Sequence, residues 1–417
     1  SRVYPLVSPP ILCGAGRRLR RVGSADLRLH SGYAPSWLVG RMICLAGSIF
    51  AVMVDEYGPR KVLARLSDPM FFQALSNVLG FDWDSSGSTT VTCHAVKQAL
   101  MGADLGIKAA GGKGRYSHMA PTEIDGIGEA FHFSPEERAR LRYSSRMAAK
   151  VDNSAVQDGY QLYHHMIFIS RDGDWTVVQQ GMNPDYKAAR RYHWLSTDLR
   201  SFAEEPHQGI IGERVHERVL DMTADGSREA RKISVELVRE GVHRLKRLIA
   251  EAAGRQRLLT EWLPESMAEA KAEAKAEDEA EAWTWGRPIS YRVGLEGINW
   301  RAVERAWRLE PQDYEELLAV PGVGPKTVRG LALISELIYG EPPSWRDPVK
   351  YTFAFGGKDG VPFPVERRAM DEAINLLEEA VSRAKLEGRQ RYNLLRRLAE
   401  WRIRLESERR PRGAQDP

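Results

Sequence analysis

The chain has 417 residues, and its 60 Lys and Arg stand against 56 Asp and Glu, so attraction to a polyanion must come from local clusters rather than from the formal net charge of +4. Hydrophobic residues make up 43% and charged residues 28%, which fits a soluble globular protein and excludes collagen-like, mucin-like and wholly disordered classes. That length accommodates two or three domains of about 100 to 200 residues each.

Cys13, Cys44 and Cys93 are far apart, odd in number and without a CxxC pair, which argues against a zinc ribbon and predicts a reducing, cytoplasmic setting. The most apolar run, residues 43–54, is shorter than the roughly 20 residues a membrane helix needs and predicts a buried helix, with no membrane contact. Residues 1–22 carry Arg17, Arg18, Arg20 and Arg21 behind a Pro-rich stretch, the reverse of a secretory signal, and read as a loose extension.

From 23 to about 105 the pattern is helical. Asp68 before Pro69 is an N-cap candidate, and Phe71, Phe72, Leu75 and Leu79 then share one face. The polar stretch 81–90 precedes another helix, so its acids and hydroxyls fall in a loop or at a cap. Residues 106–114 predict a short strand running into a glycine turn that lets backbone approach a phosphate. Residues 162–170 and 175–180, joined through Asp172 and Gly173, predict a β-hairpin, and 190–195 a further strand. Helical patterning returns over 211–263. Residues 268–283 hold Ala, Glu and Lys with almost nothing larger to bury, which predicts a solvated spacer. Four segments follow: the extension 1–22, an α+β domain 23–263, the spacer 264–284, and a helical domain 285–417 whose basic tail carries Arg396, Arg397, Arg402, Arg404, Arg409 and Arg410.

The most specific short motif is Pro321-Gly322-Val323-Gly324-Pro325-Lys326-Thr327 between two helical stretches. It resembles a helix-hairpin-helix, a DNA-binding element that grips backbone without reading sequence. Gly322 and Gly324 permit a tight turn, the hairpin amides and the following helix N-terminus can donate to a phosphate, and Lys326 adds charge. Some DNA glycosylases with this hairpin use a Lys there as a Schiff-base nucleophile with an Asp further on. That likeness makes Lys326 and Asp347 an alternative catalytic pair.

A second constellation lies within 146–193. Lys150, Asp152, Asp158, Tyr160, His164, Gln179 and Asn183, with His165 and Arg191 nearby, concentrate more reactive groups than packing requires. Chemistry would make His164 or His165 a general base, Asp152 or Asp158 a metal ligand or His partner, and Lys150 or Arg191 a counter to phosphate charge. Gln and Asn suit base edges. A polar network tying a strand to a helix end is the bland alternative, with alternation turning only one of His164 and His165 inward.

Residues 26–32, 66–90, 110–114, 150–165, 179–183 and 351–362, taken in order, resemble the domain of unknown function 763 family, found largely in archaea and thermophilic bacteria. The likeness spans roughly 22 to 380 and implies no activity. The sequence therefore predicts an α+β protein, with a β-hairpin-containing sheet in a mixed N-terminal domain and a mainly helical C-terminal one. Its expected function is DNA binding with DNA processing, as a nuclease or base-excision glycosylase/lyase in DNA repair. The alternatives are a noncatalytic nucleic-acid-binding protein or an RNA-modifying enzyme acting on tRNA. DNA is the expected partner and RNA the alternative; a divalent metal ion is the candidate cofactor, with its ligands and the oligomeric state unassigned.

Overall fold

The computed structural model describes residues 36–80, 87–185, 187–212, 215–261 and 298–349. The extension, the spacer, the 351–362 loop and the basic tail lie outside the described residues. Three helices come first: α1 (Ser36–Ser67), α2 (Pro69–Val78) and α3 (Gly87–Gly102). Gly58, at φ 77°, kinks α1 ahead of Pro59. The expected cap of α2 forms, with the Asp68 carboxylate accepting from the Met70 and Phe71 amides and Pro69 in the first turn. The third helix begins at Gly87, so Ser88, Thr89 and Thr90 occupy its first turn.

Strand β1 (Ile107–Lys113) leads into a six-residue 3-10 helix, Gly114–Met119, followed by α4 (Ala120–Ala130) and α5 (Pro135–Ser154). Ser134 and Glu137 close a capping box at the start of α5, satisfying two otherwise orphaned amides. Then come β2 (Val156–Gln157), β3 (Gln161–Ser170), β4 (Trp175–Asn183), β5 (Ala188–Leu195), β6 (His207–Gly212) and β7 (Leu220–Asp221). The hairpin joins β3 to β4 antiparallel as expected, with Gly173 at φ 81° in its turn. Helices α6 (Arg228–Arg239), α7 (Val242–Glu261), α8 (Trp300–Leu309), α9 (Tyr314–Ala319) and α10 (Pro325–Tyr339) complete the described chain.

The α+β class holds. Among the described residues the main sheet is antiparallel in the order β1-β3-β4-β5-β6, and β2 pairs with β7. Both faces of the main sheet are covered. Ile107, Ala109, Met166, Phe168, Val178 and Leu195 pack with α1, α2 and α3. Ala110, Ile167, Ile169, Trp175, Val177 and Trp194 pack in a second core with residues of α4 to α10. One expectation changes as a result. Adjacent side chains on β3 do alternate, but both His164 and His165 are buried, because each face is covered at that point.

The helical expectation for 211–263 is also corrected, since β6 extends to Gly212 and regular helix begins only at Arg228. The sequence of β6, with Gly209 and Gly212 in a six-residue edge strand, shows no strand alternation to read. Helix α1 is long and apolar enough over Leu38–Ser67 to cross a membrane by length and composition, yet its Met42, Leu45, Ala46 and Phe50 are buried against the sheet side of the protein.

Residues 298–349 join the second core: Ala302, Val303, Leu317, Leu318, Leu331 and Ile334 belong with Met147, Val151 and Trp194. Polar ties reinforce this packing. The Tyr143 hydroxyl donates to Glu315 at 2.8 Å, Gln157 donates to the Pro325 carbonyl at 2.8 Å, and the Asp221 and Val219 amides donate to Ser344 and Trp345.

Candidate functional site

The register brings the polar residues of β3, β4 and β5 into cross-strand rows, and alternation divides them between the two faces. On the face toward α5, His165 stands opposite Gln179 and Gln179 opposite Tyr192. Asp152, near the end of α5, has no solvent exposure and accepts from Gln179 Nε2 at 2.5 Å and Trp194 Nε1 at 3.0 Å, with His207 Nε2 against its other oxygen. Because the Gln179 amide nitrogen is committed to that carboxylate, its oxygen faces His165 Nδ1, at 2.8 Å. An acceptor there places the proton on Nδ1, leaving Nε2 to accept from the Ser145 hydroxyl at 2.7 Å. Burial pulls the His165 pKa down against the opposing pull of Gln179 and Asp152, so the imidazole is a neutral base.

Further along the same face, Arg190 is fully buried between two carboxylates. It donates to Asp158 at 2.9 Å and in a fork to both oxygens of Asp347, at 3.0 and 2.8 Å. Tyr192 donates to Asp158 at 2.6 Å, and the His216 amide donates to Asp347 at 2.7 Å. Tyr160 lies under the guanidinium, 4.7 Å from ring centre to charge, with its hydroxyl 3.2 Å from His216 Nε2. Burial alone would lower the Arg190 pKa, but Asp158 and Asp347 outweigh it and raise it. Burial pushes the Asp158 carboxyl up, opposed chiefly by Arg190. Gly212 faces this guanidinium: a Cβ there would meet Arg190 Nε at 3.1 Å.

The opposite face carries a row of different character: Lys113, His164, Gln180 and Arg191 stand in register across β1, β3, β4 and β5. Arg191 is as buried as Arg190, yet it meets neutral groups: Thr89 Oγ1 at 3.3 Å, Gln73 Oε1 at 3.1 Å and the Phe72 ring 4.7 Å from its charge. Burial pulls its pKa down to about 10, with only Cys93 acting in the other direction. Both nitrogens of His164 are buried and without a hydrogen-bond partner among the described residues, as are Ser88 Oγ and His193 Nε2. Burial, then His165 and Lys113, push His164 down to about 3, so it is neutral.

The structure thus brings Asp152 with Gln179 and Asp158 with Tyr160, adds Asp347 to the latter group, and puts His164 behind the sheet. Lys150 is half-buried on α5, its pKa lowered by burial and then by Arg146. Asn183 closes the turn after β4 by accepting from the Asp185 amide at 3.0 Å. Ser145, Tyr192, His207, His216 and Thr89 entered these networks unannounced by motif. The run Arg190-Arg191-Tyr192-His193 did offer a signal, as a strand too polar to be an ordinary core strand.

Between α9 and α10, Val320 to Gly324 form a tight turn in which Val323 is buried while Pro321, Gly322 and Lys326 are exposed. Gly322 adopts φ 89°, and a Cβ on it would meet Arg305 Nη2 at 2.7 Å and Asn299 Nδ2 at 2.9 Å. Those two side chains hold the turn by donating to the Gly322 and Pro321 carbonyls, and the Val323 amide closes it by donating to the Val320 carbonyl at 3.2 Å. Gly324 precedes α10, Pro325 starts it, and Thr327 is buried beneath. A cleft of roughly 660 Å³ lies at the other end of the sheet strands, lined by Lys108, Phe131, His132 and Arg171, and takes in none of the expected site residues.

Chemically, the first face can hold a neutral His165 as proton acceptor for Ser145, the second can neutralise an anion, and the α9–α10 turn can donate to one. Among the described residues no three His, Cys, Asp or Glu side chains are grouped to hold a metal ion. A family model described as protein of unknown function (DUF763) matches residues 23–365. No curated protein and no solved structure matches the chain.

Proposed function

The chain belongs to the DUF763 family, and since that name carries no activity, we propose from its own residues that it is a DNA-binding protein gripping backbone through the 321–327 turn. The observation that carries this reading is the α9–α10 turn itself, with its positive-φ Gly322, its carbonyls tied back by Asn299 and Arg305, and an exposed Lys326 beside a helix N-terminus. Such a grip is independent of sequence and driven by counterion release. Affinity for duplex DNA should fall steeply with salt, and Lys326→Ala should lower affinity for all sequences alike, reducing the log–log salt slope by about 1. Gly324→Ala is the companion variant. Its backbone is extended and among the described residues only the Gly322 carbonyl, at 4.0 Å, stands near the added methyl, so the fold should accept a methyl placed at the start of α10, beside the expected phosphate. DNA affinity unaltered in both variants would remove the turn from the interface.

DNA processing, as a nuclease or a base-excision glycosylase/lyase, is the enzymatic extension of this reading, and the Ser145–His165–Gln179–Asp152 chain supports it with an oriented proton acceptor. Incision and base-release assays on plain, uracil-containing, oxidised and abasic DNA, with and without divalent metal, test it. His165→Asn should abolish activity while DNA remains bound. Borohydride trapping through Lys326 would instead establish Schiff-base chemistry at the turn.

A further inference from the structure

We propose that Arg191, Ser88, Thr89 and His164 form an anion site for a phosphoryl group, built where the first turn of α3 meets the sheet. Arginine stays protonated at any physiological pH, and a buried guanidinium needs a counter-charge or a full set of acceptors. Arg190, one residue earlier, has two carboxylates; Arg191, equally buried, makes no ion pair among the described residues. The first turn of α3 contains no acidic residue.

The surroundings are those of a site that accepts negative charge. Arg191 Nη1 reaches Thr89 in the first turn of a 16-residue helix, whose N-terminal amides present a positive end. Ser88 Oγ, fully buried in that turn, has no hydrogen-bond partner among the described residues. On the same sheet face His164 has two ring nitrogens without a partner among the described residues, and Lys113 adds an exposed ammonium at the end of the row. The remaining N–H groups of the Arg191 guanidinium, the Ser88 hydroxyl and a His164 ring N–H together suit the several acceptor oxygens of a phosphoryl group better than a single carboxylate. This site does not depend on the α9–α10 turn, and a ligand carrying one phosphoryl group suffices to occupy it.

The test is thermal unfolding and calorimetric titration of the full chain at constant ionic strength, with chloride as reference. The probes are inorganic phosphate, a 5′-phosphorylated thymidine oligonucleotide and the same oligonucleotide without its terminal phosphate. Inorganic phosphate should raise the wild-type midpoint by several degrees, and the oligonucleotides tell a terminal from a bridging phosphoryl source. Arg191→Met should lose at least tenfold in affinity, and Ser88→Ala, a smaller change at the same turn, several-fold. Lys326→Ala should weaken DNA binding yet keep the response to inorganic phosphate, so this site and the DNA-binding turn can fail separately. No response of the wild type to any of the three probes, or an undiminished response in both Arg191→Met and Ser88→Ala, would overturn the proposal. So would a phosphate response that appears only in an Asp82→Asn, Asp84→Asn double variant, since the chain would then supply its own counter-charge.

Discussion

Arg190 and Arg191 are neighbours on one strand, equally buried, and opposite in circumstance. Arg190 closes a network drawn from distant parts of the chain, with Asp158 on one side and Asp347, 157 residues away, on the other. Arg191 touches two neutral oxygens and an aromatic face. The electrostatic consequence follows the partners rather than the burial: one pKa is raised and the other lowered to about 10. A satisfied ionic network holds elements together, whereas an unsatisfied one is kept at a cost in stability and signals a use beyond folding.

Breaking the satisfied face should do most damage. Arg190→Met leaves Asp158 and Asp347 buried without their cation, and urea unfolding should show a loss of about 3–5 kcal/mol. Wild-type stability in that variant would mean the pairs contribute nothing. Asp152→Asn keeps the shape but sets an amide N–H against donors from Gln179, Trp194 or His207. Its expected cost is about 1–3 kcal/mol, and it should also free the His165 ring to change tautomer, which nitrogen-15 chemical shifts of the imidazole would reveal. A rigid Nδ1–H signal in Asp152→Asn would contradict the orientation argument.

The other face is best probed by pH. His164 is held neutral down to about 3, while in the unfolded chain it protonates near 6.5. Over that window the unfolded state binds the extra proton, so stability present at neutral pH is lost as pH falls, at up to about 1.4 kcal/mol per pH unit for this one group. His165 and His193 are depressed in the same sense, and Asp158 and Asp221, raised by burial, act in the opposite one. His164→Gln should flatten the dependence between pH 6 and 4 by about one proton. An identical slope in that variant would show that His164 has a partner in solution. A smaller effect is expected from cutting the chain within residues 268–283. Because 298–349 packs into the core with α5 and α6, the two fragments should stay together in gel filtration under native conditions. Separation into two independent folded pieces would support two domains joined by a spacer.

Much of this was legible locally. The Asp68 cap, the Asp172-Gly173 turn and the strand at 190–195 are set by short-range chemistry, and they stand where their residues predict them. The polar richness of 150–193 was legible too, but not its division. Which of His164 and His165 faces α5 depends on register, and the burial of both depends on helices supplied from distant sequence. No local signal joins Arg190 to Asp347, or singles out Ser145 and His207 from other residues of their kind. The spacer composition suggested separable halves, whereas the apolar faces of α8, α9 and α10 are complementary to a core begun more than a hundred residues earlier.

The most direct test compares the two arginines as a pair. Arg190→Met and Arg191→Met should be unfolded by urea side by side in phosphate-free buffer at neutral pH. The account predicts that Arg190→Met loses about 3–5 kcal/mol while Arg191→Met is neutral or more stable than wild type by about 1 kcal/mol or more, because only the first removes a counter-charge from buried acids. Equal and large losses in the two variants would contradict it, since Arg191 would then be as firmly neutralised within the fold as Arg190.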